Sequence, residues 1–276
     1  MRKFVLSFVF TGIMCSAVFG SPLLIEKAGN YLNPREFEAG LNNVTYSLDR
    51  TEYEGVDLET DVSQIFVPLF GRYAWNDTME FSATIPYRLQ TVKTTTGGET
   101  DSDTDSDLGN AGVAGKYNFL LDGLILSGNL KLGLPTGGDD FKQGFDIYPS
   151  ISIRKNVEPV IVNANLGYKL TGSYELDDET GTEINPGDIL SLGGGLEYPF
   201  SEEITFAGEL IYENLTSLQR DGTEIDGTDG SRTEIIGGLR LNRGSYRTKL
   251  GLGVSLGEET YREYDYRIFA GITYRL

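Results

Sequence analysis

The sequence predicts an all-β fold: a transmembrane, antiparallel up-and-down β-barrel of about twelve strands, with long acidic extracellular loops and short periplasmic turns. Three observations predict it. Apolar residues recur at period two from Arg35 to the final Leu276, the spacing of strands that are apolar on one face. The connections between these segments alternate short and long. Nothing after Gly20 has the ~20 consecutive apolar residues of a transmembrane helix, whereas a closed barrel crosses a bilayer with strands of only ~9–11 residues.

Met1-Arg2-Lys3 is basic, Phe4 to Phe19 is apolar, and Val18-Phe19-Gly20 ends on a small residue. Residues 1–20 therefore read as a secretory signal peptide. Cys15 follows Met14, which is large where a lipoprotein signal wants a small residue, so it reads as an ordinary signal-peptide cysteine. Residues 21–34 show no period and are assigned to an N-terminal periplasmic segment. The barrel is expected over 35–276.

The first strand, Arg35–Leu48, carries Phe37, Ala39 and Leu41 on one face, and its phase blurs after Asn43. Gln64–Trp75 carries Ile65, Val67, Leu69, Tyr73 and Trp75. After Asn76-Asp77, Thr78–Gln90 carries Met79, Phe81, Ala83, Ile85, Tyr87 and Leu89. Leu108–Gly138 holds the clearest pair. Asp122-Gly123 is a strong type I′ hairpin signal, because that turn needs positive φ, which Gly supplies freely and Asp tolerates. Val113, Tyr117, Phe119 and Leu121 precede it on one face; Leu124, Leu126, Leu130, Leu132 and Leu134 follow. Phe145–Lys155, Pro159–Tyr174, Asp188–Phe200, Ile204–Asn214, Arg232–Leu241, Ser245–Leu256 and Tyr264–Leu276 repeat the pattern. Pro68, Pro86 and Pro149 each remove a ladder donor, so their strands are expected to bulge or fray there.

The short connections fall near Asn76-Asp77, Asp122-Gly123, Asn156–Glu158, Ser201–Glu203 and Asn242–Gly244. The long ones fall near Asp49–Asp61, Lys93–Asp107, Pro135–Gly144, Glu175–Gly187, Gln219–Ser231 and Gly257–Glu263. Much of the acid that gives the chain its net charge of −18 lies in the long ones, as in Glu99-Thr-Asp-Ser-Asp-Thr-Asp-Ser-Asp107. The charge is thus mainly a property of one rim, and it excludes nucleic acid as a partner.

A soluble barrel buries its apolar face; a membrane barrel turns it to lipid. Export, lopsided loops and the placing of aromatics favour lipid. Tyr73, Trp75, Tyr198, Phe200, Tyr246 and Tyr274 gather near the short turns, and Tyr87, Tyr168, Tyr212 and Tyr264 near the long loops, as two aromatic girdles would. The last strand alternates to the final residue, as strands recognised by barrel-assembly machinery do, although Leu276 stands where Phe or Trp is usual. Outer-membrane lipid, lipopolysaccharide and that machinery are the expected partners.

The opposite face then lines a lumen. It carries Arg72, Arg88, Lys116, Lys131, Arg154, Lys169, Arg240, Arg247, Lys249, Arg267 and Arg275, with Glu80, Glu197, Glu209, Glu213, Glu234 and Asp265. One reading is a path that attracts anionic or dipolar solutes. The other is a wall of salt bridges that stiffens a narrow barrel. Both stay open on the sequence, as do a passive channel and a non-conducting barrel whose acidic loops contact the surroundings.

Asp107-Leu-Gly-Asn-Ala-Gly-Val-Ala-Gly-Lys-Tyr117, Leu130-Lys-Leu-Gly-Leu-Pro-Thr-Gly137, Asn165-Leu-Gly-Tyr-Lys-Leu-Thr-Gly172 and Gly187–Pro199 together carry a resemblance. They resemble the outer-membrane family labelled "MetA-pathway of phenol degradation", over roughly Asp107 to Glu213. Asn110 departs from it, standing where Asp is common. The resemblance implies an outer-membrane barrel and a channel for small, aromatic or hydrophobic compounds. It brings no set of site residues.

The chain has no histidine, and its one cysteine is Cys15. Ser-His and thiol mechanisms are thereby excluded. The Glu209/Glu213 pair reads as salt-bridge partners rather than an acid–base pair, so no enzyme and no cofactor is expected. Asp101, Asp103, Asp105 and Asp107 alternate like a calcium loop, but the turn glycine and the bidentate Glu are missing, which leaves a mobile solvated loop. Gly193-Gly-Gly195 and Gly97-Gly98 open no helix and are not phosphate cradles.

Overall fold

The computed structural model describes residues 32–52, 58–138, 141, 143–175, 181–256 and 264–276. The expected signal peptide and most of the segment 21–34 lie outside them. Among the described residues seventeen strands form two sheets. In chain order they are β1 (Phe37–Glu52), β2 (Leu58–Ala74), β3 (Met79–Thr96), β4 (Glu99–Leu108), β5 (Gly112–Leu121) and β6 (Leu124–Gly133). Next come β7 (Asp146–Val157), β8 (Val160–Lys169), β9 (Tyr174–Glu175), β10 (Glu183–Asn185), β11 (Ile189–Pro199) and β12 (Ile204–Leu215). The chain ends with β13 (Gln219–Arg220), β14 (Thr223–Glu224), β15 (Gly230–Arg243), β16 (Tyr246–Leu256) and β17 (Tyr266–Arg275).

The larger sheet is antiparallel and closes on itself. β1 pairs with both β2 and β17, and β2 pairs with β3. β3 pairs with β5 along its first half and with β4 along its second, so β4 and β5 occupy successive lengths of one stave. The result is a closed barrel of twelve strands, the predicted fold class. Among the described residues every wall strand except β4 is paired on both sides, and β4 is paired with β3 alone; closure of the wall is the condition for crossing a bilayer in strands.

Alternation decides the faces. β12 reads buried and exposed in strict turn, with Phe206, Leu210 and Tyr212 outside and Thr205, Glu209 and Glu213 inside. Large apolar side chains are exposed around the whole wall, as at Leu69 (57 %), Leu192 (54 %) and Leu250 (51 %). The buried group is mostly polar and charged. This inversion of a soluble protein is what a barrel in lipid needs.

The five short connections sit at one end, as expected. Asp122 and Gly123 have φ of 41° and 78°, the positive values of the predicted turn. Asn76 caps its own turn, its Oδ1 accepting from the amides of Thr78 (2.9 Å) and Met79 (2.7 Å).

Several expectations are corrected. The blurred phase after Asn43 is a β-bulge: the β1 register shifts between Leu41 and Val44 against β17, and between Leu41 and Thr45 against β2, with Asn43 at φ 62°. Pro68 and Pro86 do not fray the β2–β3 ladder; they lie directly opposite each other in unbroken register. Such a pair is tolerated at a non-hydrogen-bonded position, where both nitrogens point to the outer neighbours. On those sides Pro68 faces the β1 bulge and Pro86 faces the break between β4 and β5. Pro149 sits within an unshifted β6–β7 ladder, but on its other side the β7–β8 ladder begins only at Ser150, with an isolated bridge at Ile147–Leu170, so the expected fraying is found there.

The stretch Lys93–Asp107 is no mobile loop. β3 and β4 run through it as a hairpin turned at Gly97-Gly98, both at positive φ. The connections after β8 and β12 also contribute strands. They pair as the four-stranded sheet β14-β13-β10-β9, whose small core is Ile184 and Leu218, with Tyr174 and Ile225 packed against it. Tyr264 does not join the aromatic girdle; it is buried, with Arg267 4.8 Å above its ring.

Candidate functional site

Period two places the functional groups: where odd positions of a strand face lipid, even ones face the lumen. All of the charged residues expected inside on this rule and lying within the strands are on the inner face. Arg72, Arg88, Lys169, Arg240, Arg247, Lys249, Arg267, Glu80, Glu197, Glu209, Glu213 and Glu234 are buried, and Lys116, Lys131, Arg154 and Arg275 are partly covered. Asp265 is different. It precedes β17, and its carboxylate accepts the Arg50 amide at 3.1 Å on the rim.

Register then sorts these charges into clusters. Near the short-turn end, Glu38 accepts from the Arg72 guanidinium and from Thr273, with Arg247 at 3.5 Å. Arg72 also lies 3.6 Å from Glu80, which takes Lys116 at 3.0 Å. On the facing strands Glu197 pairs with Arg240, with Arg154 at 3.4 Å, and accepts from Asn163 Nδ2 at 3.0 Å. Lys249 donates to Asn42 at 3.1 Å.

A second set lies toward the long connections. Lys169 meets Asp146 at 2.9 Å, Arg232 meets Glu213 at 2.6 Å, and Arg267 pairs with Glu234. Lys131 and Glu209 share this inner face. Arg88 is fully buried on β3, with its guanidinium 5.7 Å from the Phe66 ring centre and 5.8 Å from that of Phe141.

Between the two sets, one wall is apolar. Ala207, Ile211, Ile236 and Phe269 pack together on the inner face. Phe269 crosses onto Gly251 of β16, where an added Cβ would lie 2.1 Å from the ring. Tyr148 crosses Gly167 in the same way, 2.3 Å from its ideal Cβ.

Sequence reasoning missed Glu38, Asp146 and Arg232 as lumen charges. The signal was present: each lies next to a residue of the apolar or outward phase of its strand, Phe37, Ile147 and Thr233. The inward Ile211, Ile236 and Phe269 follow Leu210, Ile235 and Ile268, and such apolar doublets hide which member faces in. Among the described residues no group of acidic side chains is arranged to hold a metal ion, the Asp101–Asp107 stretch included.

With the geometry in view, the barrel can be compared with known proteins. No family model matches the chain. Its fold is similar to that of an outer membrane channel from Pseudomonas putida F1, at a TM-score of 0.75 and 12 % identity, covering 92 % of this chain and 100 % of that one. It is also similar to the transport unit of the autotransporter AIDA-I from Escherichia coli, at 0.58 and 13 %, covering 96 % of each chain. At these identities the likeness is one of fold: an outer-membrane type of β-barrel.

Proposed function

We propose that the protein is an outer-membrane channel through which small solutes pass passively. The observation that carries the reading is the pairing of a continuous apolar outer face with a charged, hydrogen-bonded inner one. The short turns then face the periplasm and the long, acidic connections face outward. The inner wall supports a lean toward anionic or dipolar solutes. Arg72, Arg88, Lys116, Lys131, Arg154, Lys169, Arg240, Arg247, Lys249 and Arg267 face Glu197, Glu209, Glu213 and Glu234 together with Glu38, Glu80 and Asp146. Rings of basic side chains of this kind favour anions in pores.

The apolar wall of Ile211, Ile236 and Phe269 agrees with a solute that has an aromatic or hydrophobic body, the class implied by the family resemblance. The wealth of ion pairs favours a second reading, a sealed barrel stiffened by salt bridges with its acidic connections as contact surfaces. Neither reading needs a catalytic residue.

Planar-bilayer recording of the purified protein separates the two. Sustained unitary conductance, with reversal potentials favouring Cl⁻ over K⁺ in a KCl gradient, is expected of the channel. A folded, heat-modifiable protein that never conducts would leave the sealed barrel.

A further inference from the structure

The described part of the connection between β6 and β7 includes two covered residues. Phe141 and Gln143 are buried, at 5 % and 4 % exposure. Phe141 lies over Arg88, whose own side chain already projects inward from β3 beside Phe66. The ring therefore packs over the inward-projecting Arg88 side chain as a second layer.

What turns it inward is a set of contacts between two short stretches far apart in sequence, Leu108-Gly109-Asn110 and Pro135-Thr136-Gly137. The Ala111 amide donates to Thr136 Oγ1 at 2.8 Å. The Gly137 amide donates to Asn110 Oδ1 at 2.9 Å, and the Gly138 amide to the Leu108 carbonyl at 2.9 Å. Asn110 Nδ2 donates in turn to the Gln143 carbonyl at 3.0 Å. Asn110 is buried, so its bond to the Gln143 carbonyl forms away from competing water. A side chain at either glycine would be crowded, at Gly137 against backbone. A Cβ at Gly109 would lie 2.9 Å from Arg88 Nε, and one at Gly137 would lie 2.8 Å from the Phe141 carbonyl oxygen.

We propose that these two stretches form a latch that fixes a constriction. Leu108–Asn110 and Pro135–Gly137 hold Phe141 against Arg88 and Phe66, and the Phe141 ring limits the size of solute that passes. The proposal rests on the pore reading and deepens it. Phe141 is the size-limiting residue and Asn110 is a positioning residue that acts through it.

The test uses the full mature chain in planar bilayers. Phe141→Ala is expected to raise unitary conductance at least about twofold, since it would remove the ring proposed to constrict the path. Asn110→Ala should move conductance in the same direction, while Phe119→Ala, on the lipid face, should leave it unchanged. Phe141→Cys supplies a second readout, because the natural cysteine, Cys15, lies within the expected signal peptide. Its modification by a bulky methanethiosulfonate should cut the current by about half or more, as a plug in the path would.

A conducting wild type whose current neither Phe141→Ala nor modified Phe141→Cys alters overturns the constriction and leaves the pore intact. A silent wild type with a conducting Phe141→Ala supports the constriction as a seal and ends the open-pore reading. Silence in both overturns both.

Discussion

Glu197 has no solvent exposure, yet it faces two cations, Arg154 and Arg240, and accepts from Asn163. Removing the carboxylate leaves the buried Arg240 guanidinium without its partner and beside the partly covered Arg154. Breaking a buried pair in this way costs about 3–5 kcal/mol. Glu197→Ala should lower the urea midpoint of the vesicle-folded protein accordingly, while Glu197→Gln, which retains an acceptor for Asn163 and Arg240, should lose less. Equal stability of all three forms would show the cluster to be a hydrated, uncoupled set of charges. Glu197 was legible as an inward residue because Leu196 and Tyr198 flank it with the opposite phase. Its partners were not. A period names a face, but only register and the curve of the wall bring Arg240, from two strands away, onto the same carboxylate.

Strands make their own predictions through their outer faces. Leu210 sits at the middle of β12 with 54 % exposure, between Phe206 and the Tyr212 of the girdle. Arginine there would place a charge at bilayer depth, at a cost of about 2–4 kcal/mol near the midplane. Thr104→Arg, on the β4 hairpin, should change stability by no more than about 0.5 kcal/mol, as surface substitutions do. Chemical unfolding of each variant in phospholipid vesicles measures the difference. Equal effects at the two positions would mean that the apolar face does not meet lipid. Element existence was readable wherever one face is apolar. It failed for β4, whose faces are Thr/Ser and Asp. That strand is held instead by its ladder to β3 and by hydroxyl pairs, Thr91 with Thr104 at 3.1 Å and Thr95 with Thr100 at 3.0 Å. It failed also for β9, β10, β13 and β14, which are two or three residues long and become a sheet only when two distant connections meet over Ile184 and Leu218.

At the scale of the whole molecule, the charges are divided between two environments, and the division yields a prediction that neither part yields alone. Glu99, Asp101, Asp103, Glu183, Asp221 and Glu224 stand exposed on the long-connection side. Most of the lumen charges are buried within the wall. Exposed charges act over a Debye length, which shrinks from about 10 Å at 0.1 M salt to about 3 Å at 1 M, whereas buried charges are screened far less. At low salt the acidic rim repels anions before they reach the basic lumen. At high salt the rim falls silent and the lumen still acts. The ratio of Cl⁻ to K⁺ permeability, read from reversal potentials at a fixed ratio of KCl across the bilayer, should therefore rise as the overall KCl concentration is raised from roughly 0.1 M to 1 M. A pore governed by exposed lumen charge alone would show the opposite, a preference that fades with salt. Replacing Asp101, Asp103 and Asp105 together by Asn should flatten the dependence by raising the low-salt ratio. A ratio that falls with salt in the wild type, and is untouched by the triple substitution, would detach the rim from conduction and leave selectivity to the lumen alone.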